Sequence, residues 1–214
     1  MKIVCVGGGF VYGSLGMSHH ATEDMAVLRA LPGVTVFTPG DPAEVEAVVP
    51  EMLRTPGTCY LRLSRGGEPT LHDGPVEGWR VPRALTLRRG ADVALLSAGG
   101  ILTQTMSAAD MLAEKGVSAE VVSFPCIKPM DAERILDLAG RFRHLVAVEE
   151  HSVVGGFGSA VAEVLAEGGC ACRLHRIGMP DRYSSIVGTQ QYLRGVYGMD
   201  DRAICERTLE WLDP

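Results

Sequence analysis

The sequence GSLGMSHHATED, residues 13–24, places two glycines, two adjacent histidines and two acids in one short segment, named here the histidine turn. Glycine adopts backbone conformations that other residues avoid, so the chain can turn tightly here and present a histidine at a cleft. From the residues alone, the pair has two interpretations: a helix cap or surface position, or chemistry at the cleft. The segment predicts a strand-to-helix turn around which the remaining elements are arranged.

The composition is that of a globular protein, with 214 residues, 46% of them hydrophobic and 21% charged. The net charge of -6 and the scattered arginines form no basic surface, so we expect no nucleic-acid partner. No apolar run approaches the roughly 20 residues of a membrane span, and the first residues carry no cleavage-site pattern. These features predict a cytoplasmic protein that does not associate with membranes.

The cysteines lack the paired spacing of a zinc site. We interpret them as small buried hydrophobic side chains in a reducing compartment, and we predict no metal ligands. They are Cys5, Cys59, Cys126, Cys170, Cys172 and Cys205.

The first part of the chain alternates predicted strands and helices. Residues 2–6 are an apolar run typical of a strand buried on both faces of a parallel sheet. The segment Asp41-Pro42-Ala43-Glu44 predicts a helix start with a capping acid and a proline at the first position, and Pro50 predicts an early end or a bend. Further strands are predicted at 34–37 and 58–63, and a helix at 21–31.

The loop after the strand at 58–63 carries Ser64-Arg65-Gly66-Gly67. Ligands of open α/β sheets collect at the carboxyl ends of strands, so Arg65 is well placed to bind an anion.

Loop-forming residues over 68–89 predict a domain boundary, with a first domain at 1–75, a linker at 76–90 and a second domain at 91–214. The second domain has the order βαβαβ, which favours a parallel sheet with right-handed crossovers. Its predicted strands are 93–97, 119–123, 145–148 and 173–177, its helices are 103–115, 131–139 and 159–165, and the remainder is predicted to be helical to residue 211. The fold class is therefore α/β.

Two other motifs give only weak indications of function. Gly7-Gly8-Gly9 follows a strand but lacks the spacing of a dinucleotide site. Glu149, Glu150 and His151 could form an acid/base cluster, but adjacent residues at a strand end point in different directions, which favours a role at a domain interface. Motifs of serine hydrolases, P-loop nucleotidases and zinc proteases are absent from the sequence.

The order and spacing of several segments closely resemble the transketolase family over nearly the whole chain. The first part is similar to its pyrimidine-binding domain and the second part to its C-terminal domain, most closely in the C-terminal subunits of split transketolases. The segments are residues 13–24, Leu28-Arg29-Ala30-Leu31-Pro32, Thr38-Pro39-Gly40-Asp41-Pro42, Leu61-Arg62-Leu63-Ser64-Arg65, Glu149-Glu150-His151 and Gly155-Gly156-Phe157-Gly158.

The resemblance implies an enzyme that uses thiamine diphosphate and Mg²⁺ to move a two-carbon ketol unit between phosphorylated sugars. His19 matches the family histidine that contacts substrate oxygens at the reaction centre, and Ser64 and Arg65 match the pair that binds the acceptor's phosphate. His20 is assigned to substrate binding beside them. Leu15 stands where long transketolases carry an aspartate, so the substrate preference is expected to differ.

Family pyrimidine-binding domains carry roughly a hundred more residues before this region, including the glutamate and aromatics that activate and hold the cofactor ring. The resemblance therefore implies half of a pyrimidine-binding domain, a complete C-terminal domain, and a complementary N-terminal subunit that binds most of the cofactor and the metal. An open hydrophobic sheet edge also predicts a homodimer within such a heteromeric complex. Two alternatives stay open, a non-catalytic assembly or regulatory subunit and a β-subunit of a 2-oxoacid dehydrogenase.

Overall fold

The computed structural model describes residues 1–212; the last two residues of the predicted second domain lie outside this range. The strands are β1 (Lys2–Val6), β2 (Val34–Phe37), β3 (Thr58–Leu63), β4 (Leu85–Arg88), β5 (Val93–Ala98), β6 (Ala119–Ser123), β7 (Cys126–Lys128), β8 (His144–Ser152) and β9 (Arg173–Met179). The α-helices are α1 (Asp24–Ala30), α2 (Pro42–Arg54), α3 (Leu102–Glu114), α4 (Ala132–Arg141), α5 (Phe157–Glu167), α6 (Gln190–Val196) and α7 (Asp201–Leu212). The predicted α/β class is confirmed.

The strands form two sheets, ordered β1-β3-β2-β7 and β4-β6-β5-β8-β9. Strands β1, β2 and β3 run parallel, as do β5, β6, β8 and β9, whereas β7 and β4 add antiparallel edges. Strand β7 comes from the second part of the chain and extends the first sheet, where Cys126 pairs with Phe37. The two units are therefore joined by a shared sheet as well as by the linker.

The prediction that β1 is buried on both faces is wrong. Among the strands of residues 1–212 it pairs only with β3, and Val4 and Val6 are 53% and 52% exposed. An apolar run indicates that a segment tends to form a strand, but it does not indicate how many neighbouring strands it pairs with. Within residues 1–212, β1 is an edge strand with an open outer side.

The predicted start of α2 is confirmed, because Asp41 Oδ1 accepts a hydrogen bond of 2.8 Å from the Glu44 amide. The early end predicted at Pro50 is wrong, since the helix continues through it to Arg54, and the alternative, a bend, stays a prediction. Pro50 lies on the exposed face, where water can solvate the Glu46 carbonyl that loses its amide donor.

Other predictions differ in extent. The loop predicted over 68–89 contains β4, and the region predicted as helical to residue 211 has no regular element over 180–189 before α6 and α7. Strand β8 extends through residue 152, so Glu149 and Glu150 lie within the strand and not after it. Among the cysteines, Cys59, Cys126 and Cys205 are buried as predicted, Cys170 and Cys172 are half-buried, and Cys5 is exposed, which corrects its assignment.

The main core surrounds β5 and β8, whose residues are buried almost throughout. Helices α3 and α7 contribute side chains to one apolar cluster, and α1, α4 and α5 contribute to another. A third cluster packs α2 and Trp79 against the first sheet. Within residues 1–212, no helix combines the length and the apolar character needed to cross a bilayer.

Two histidines, at the start of β8 and of β9, pack together beside α7. We predict that this contact contributes less to stability at acid pH. His144 Nδ1 lies 3.1 Å from His175 Nε2, and Trp211 stacks on His175 at 4.3 Å. Burial and the nearby Arg173 lower the pKa of both histidines, so the folded state favours the neutral pair. Protonation then favours the unfolded chain, and this contribution to stability is lost as the pH falls below about 6.5.

The measurement is the free energy of unfolding in urea at several values between pH 8 and pH 5, for the native chain and for the variant His175→Gln. We expect the variant to lose less stability over this interval, because it has one fewer histidine to protonate. Equal losses in the two proteins would contradict the prediction.

Candidate functional site

The histidine turn is built from two 3₁₀ turns, Gly13–Leu15 and Met17–His19, separated by Gly16 at φ +81°. This positive φ favours glycine and explains why the chain can reverse direction there. An isolated bridge between Gly9 and Ala21 closes the base of the loop. The predicted strand-to-helix turn is confirmed, and α1 begins after it at Asp24.

His19 ends the second 3₁₀ turn and its side chain is exposed. Its Nδ1 atom lies 3.0 Å from the Ser18 hydroxyl, which can donate to it. When it does, Nε2 carries the ring proton and faces away from that contact, free to interact with another molecule. The neighbouring Leu15 and Met17 are also exposed, at 58% and 55%.

His20 has the opposite environment. Its half-buried ring meets the ring of Phe10 edge to face at 5.0 Å, and its Nε2 lies 3.3 Å from the Gly13 carbonyl oxygen. A carbonyl only accepts hydrogen bonds, so Nε2 of the neutral ring carries the proton and Nδ1 is left as an acceptor. Nδ1 is buried and has no hydrogen-bond partner within residues 1–212. Because this atom is buried, a bound molecule reaches it only if the turn moves.

Ser64 and Arg65 follow β3 and line a cleft of about 370 Å³ between that strand end and the start of α2, named here the α2 cleft. Arg65 also lines a second cleft of about 390 Å³, the α6 cleft, together with Gly13 and Ser14 of the histidine turn. His19 lines neither cleft. The structure thus brings Ser64 and Arg65 together beside the histidine turn, while the His19 imidazole lies outside both clefts.

A buried ion pair between β3 and the end of the histidine turn supports that turn. Arg62 Nε donates to Asp24 Oδ2 at 2.9 Å, and the Tyr60 hydroxyl donates to the same oxygen at 2.7 Å. Burial opposes the charge of Asp24, but Arg62 and Tyr60 outweigh it and lower the pKa of this carboxyl. Arg62 also donates to the carbonyls of Ala21 and Glu150. This network holds the end of the turn against both units.

Glu150 joins the C-terminal unit to the loop before the histidine turn. Its buried carboxylate accepts hydrogen bonds from the Phe10 amide at 2.8 Å, from Gln190 Nε2 at 3.0 Å and from Arg194 Nε at 3.0 Å. Phe10 in turn packs against His20. The domain-interface role predicted for this segment is confirmed for Glu150.

Glu149 and His151 point away from Glu150. Glu149 accepts hydrogen bonds from the Phe157 and Gly158 amides at 2.6 and 2.9 Å, and burial raises its pKa to about 7. Burial and the nearby Arg62 lower the pKa of His151, whose Nε2 lies 3.3 Å from the Ala26 amide. His151 Nδ1 lies 3.7 Å from Glu149 Oε2, so these two buried side chains are neighbours, whereas Glu150 is bound by Phe10, Gln190 and Arg194.

One group of three metal-capable side chains lies within residues 1–212: Asp41, Glu44 and His72. Its oxygens already have internal donors, since Asp41 accepts from the Leu71 amide at 2.7 Å and Glu44 accepts from the Gly40 amide at 2.6 Å. The hydrogen bond with Glu44 raises the pKa of His72. The group anchors the loop after β3 to α2.

Sequence reasoning missed the partnerships of Arg62 and Arg194. Arg62 had a visible signal, because it is a charged residue inside the apolar strand TCYLRL, and a buried charge requires a partner. Arg194 had none, since its partner Glu150 is 44 positions away and its own helix is short.

Comparisons with known proteins agree with the fold. The model of the transketolase pyrimidine-binding domain matches residues 1–69, and that of the transketolase C-terminal domain matches residues 83–204. The chain is 34% identical to a subunit of the apulose-4-phosphate transketolase of Phocaeicola vulgatus, over 99% of this chain and 67% of that protein. It is 36% identical to the 6-deoxy-6-sulfo-D-fructose transketolase subunit SqwH of a Clostridium species, over 88% of this chain and 58% of that one.

A solved structure described as a split gene transketolase, inactive beta4 tetramer, superimposes with a TM-score of 0.89 and is 34% identical. The match covers 99% of this chain and 66% of that chain, so the chain spans about two thirds of the length of such relatives. With matches to both domain models and to subunits of split transketolases, the chain belongs to the transketolase family.

Proposed function

We propose that the chain is one component of a multi-chain, thiamine diphosphate-dependent transketolase that transfers a two-carbon ketol unit between phosphorylated sugars in the cytoplasm. In this proposal it supplies the substrate side of the site. The observation that carries the proposal is the exposed His19 imidazole, on a turn that is braced by a buried ion pair and whose Gly13 and Ser14 line the α6 cleft together with Arg65. The relatives named as transketolase subunits support the same assignment.

The residues described here fit only part of a thiamine diphosphate site. The exposed His19 ring is available for a polar contact with a bound molecule, whereas His20 Nδ1 is buried. The one metal-capable group within residues 1–212 uses its oxygens internally, so we assign the Mg²⁺ and the diphosphate mainly to a partner chain. When bound, the cofactor would supply a nucleophilic carbon for ketol transfer.

Each proposed site residue has a chemical role. The His19 imidazole can donate a hydrogen bond to a substrate oxygen or move a proton at that atom as charge develops there. The Arg65 guanidinium can bind a phosphate with two parallel hydrogen bonds, assisted by the Ser64 hydroxyl. His20 stays a proposed substrate-binding residue whose buried Nδ1 meets a substrate hydroxyl only if the turn moves, whereas Leu15 offers no polar contact at its position.

The proposed partner is a complementary transketolase-like N-terminal subunit, with two copies of this chain in the complex. The open side of β1, the exposed Val4 and Val6, and the exposed Leu15 and Met17 are apolar surface that such partners would cover.

The test is reconstitution. The purified chain is mixed with the product of a neighbouring gene that encodes a transketolase N-terminal section, together with thiamine diphosphate and Mg²⁺, and ketol transfer between sugar phosphates is measured. We expect activity that neither chain has alone, and co-elution of the two chains. No gain in activity and no co-elution would overturn the proposal.

A further inference from the structure

The end of β8 lies against the end of the histidine turn and the start of α1. The Ser152 amide donates a hydrogen bond of 2.7 Å to the Thr22 carbonyl, so the two backbones are joined directly. The preceding residue, His151, is fully buried at this contact. A side chain of the C-terminal unit is therefore packed against the segment that carries His19.

Both ring nitrogens of His151 have backbone partners, and these partners fix its tautomer. Nδ1 lies 2.8 Å from the Ser152 carbonyl oxygen, which only accepts, so Nδ1 carries the proton of the neutral ring. Nε2 is then an acceptor, and the Ala26 amide donates to it at 3.3 Å. The neutral imidazole is thus a bridge from β8 to α1.

The Ala26 amide belongs to the first turn of α1, where amides have no carbonyl partner within the helix. Such amides are usually bound by the side chain of the residue before the helix. Glu23 holds that position here, and its side chain makes no capping hydrogen bond. His151 supplies the acceptor instead, so the C-terminal unit caps the helix that follows the histidine turn.

Charged groups face the His151 ring from three elements. Asp24 Oδ1 of α1 lies 3.9 Å from Nε2, Glu149 Oε2 of β8 lies 3.7 Å from Nδ1, and Arg62 of β3 places a positive charge near the ring. The residue before α5, Gly156, also packs on the ring and has no charge. Burial and Arg62 outweigh Asp24 and the neighbouring backbone carbonyls, so the pKa of His151 lies below its ordinary value and the ring is largely neutral at pH 7.

We propose that His151 is a positioning residue for His19: its neutral imidazole caps α1 and holds the histidine turn in place, and its protonation releases that contact. A protonated ring has no lone pair on Nε2 and cannot accept from Ala26. The inference deepens the proposed function and rests on it for the role of His19. The C-terminal unit then makes the site sensitive to pH, because the cap on α1 exists only while the ring is neutral.

Two substitutions separate the acceptor of His151 from its volume. His151→Gln keeps an acceptor oxygen and does not titrate near neutral pH, whereas His151→Leu removes every polar atom of the ring. In the reconstituted enzyme at pH 7.5, we expect His151→Leu to lower kcat by about 10- to 100-fold, because a displaced reacting group slows the chemical step. The KM for the acceptor sugar phosphate should stay nearly unchanged, and His151→Gln should restore most of the lost kcat.

The pH dependence gives a second readout. The contribution of a histidine with a lowered pKa is complete above about pH 6.5 and is lost as the pH falls below that value. The native chain and His151→Gln both keep His19, so the ratio of their kcat values isolates the titration of His151. We expect this ratio to fall between pH 7.5 and pH 5.5, and the ratio of the native chain to the control His175→Gln to stay constant.

A third measurement does not depend on activity: hydrogen exchange of the Ala26 amide in the isolated chain, followed by NMR and corrected for the intrinsic exchange rate at each pH. We expect protection to be about fivefold lower in His151→Leu than in the native chain. Protection should also fall from pH 7.5 to pH 5.5 in the native chain and not in His151→Gln.

Equal protection of the Ala26 amide in the native chain and in His151→Leu would overturn the inference, as would an equal kcat in an active complex. If His151→Leu does not fold, the comparison with His151→Gln decides instead, and an equal pH dependence of the two proteins would overturn it. If the complex shows no ketol transfer, the proposed function fails, while the exchange of Ala26 still decides whether His151 holds the turn.

Discussion

Replacing Glu150 by alanine is expected to lower the free energy of unfolding by roughly 3–5 kcal/mol. The change leaves the buried Arg194, a residue that is 6% exposed, without the carboxylate that neutralises its guanidinium. It also removes the acceptor of the Phe10 amide and of the Gln190 side chain. An unpaired buried charge costs more than the ion pair contributes, because the remaining ion has lost both water and its partner. Urea denaturation followed by circular dichroism measures the loss.

Two control variants show whether the loss of stability comes from leaving a buried charge unpaired or from removing an ion pair in general. Glu150→Gln keeps the side-chain volume and an acceptor oxygen for Phe10, so its loss is expected to be smaller than that of Glu150→Ala. Glu206→Ala breaks the exposed pair with Arg202, and we expect stability to stay nearly unchanged because such pairs contribute little. If Glu150→Ala were no less stable than Glu206→Ala, the structural role assigned to Glu150 would be wrong.

The elements that sequence reasoning located correctly are those whose signal is local. The cap at Asp41 followed by Pro42 fixes the start of α2 by chemistry within four residues, and the structure has that hydrogen bond. The apolar strands β5 and β6 were also predicted, since buried parallel strands are continuous apolar runs.

The errors concern quantities that a local pattern does not contain. Whether β1 lies at the centre or the edge of its sheet depends on its neighbours, and the same residues suit both positions. The short strand β7 was missed because its pairing with β2 depends on a contact between the two units. Both the edge position of β1 and the presence of β7 depend on pairing between strands that are distant in the sequence.

The residues of the candidate site also fall into two groups: those indicated by a local motif and those whose partners are distant in the sequence. His19, Ser64 and Arg65 came from motifs that resemble a family, and their roles stay predictions. The ion pair of Arg62 with Asp24 and that of Glu150 with Arg194 join residues 38 and 44 positions apart. Such pairs require the fold to be known, and they explain why the turn holds a defined shape.

Replacing His19 by alanine is expected to lower kcat of the reconstituted complex by about 10²- to 10⁴-fold, the usual contribution of a general acid–base group. The side chain is exposed, and within residues 1–212 its one side-chain hydrogen bond is with Ser18, so we expect its removal to leave the fold of the turn intact. The free energy of unfolding and the co-elution with the complementary subunit should therefore be unchanged. Steady-state kinetics with saturating cofactor and sugar phosphates measure the effect.

Ser18→Ala is the matched control, since it removes the neighbour that contacts Nδ1 and keeps the imidazole. We expect its kcat to fall less than tenfold, because a single hydrogen bond to the ring orients it but does not take part in proton transfer. A complex with His19→Ala that assembles and keeps full activity would assign the chain to the alternative role of an assembly subunit. A complex that assembles and loses activity places the His19 imidazole at the reacting atoms, because no other property of the protein has changed.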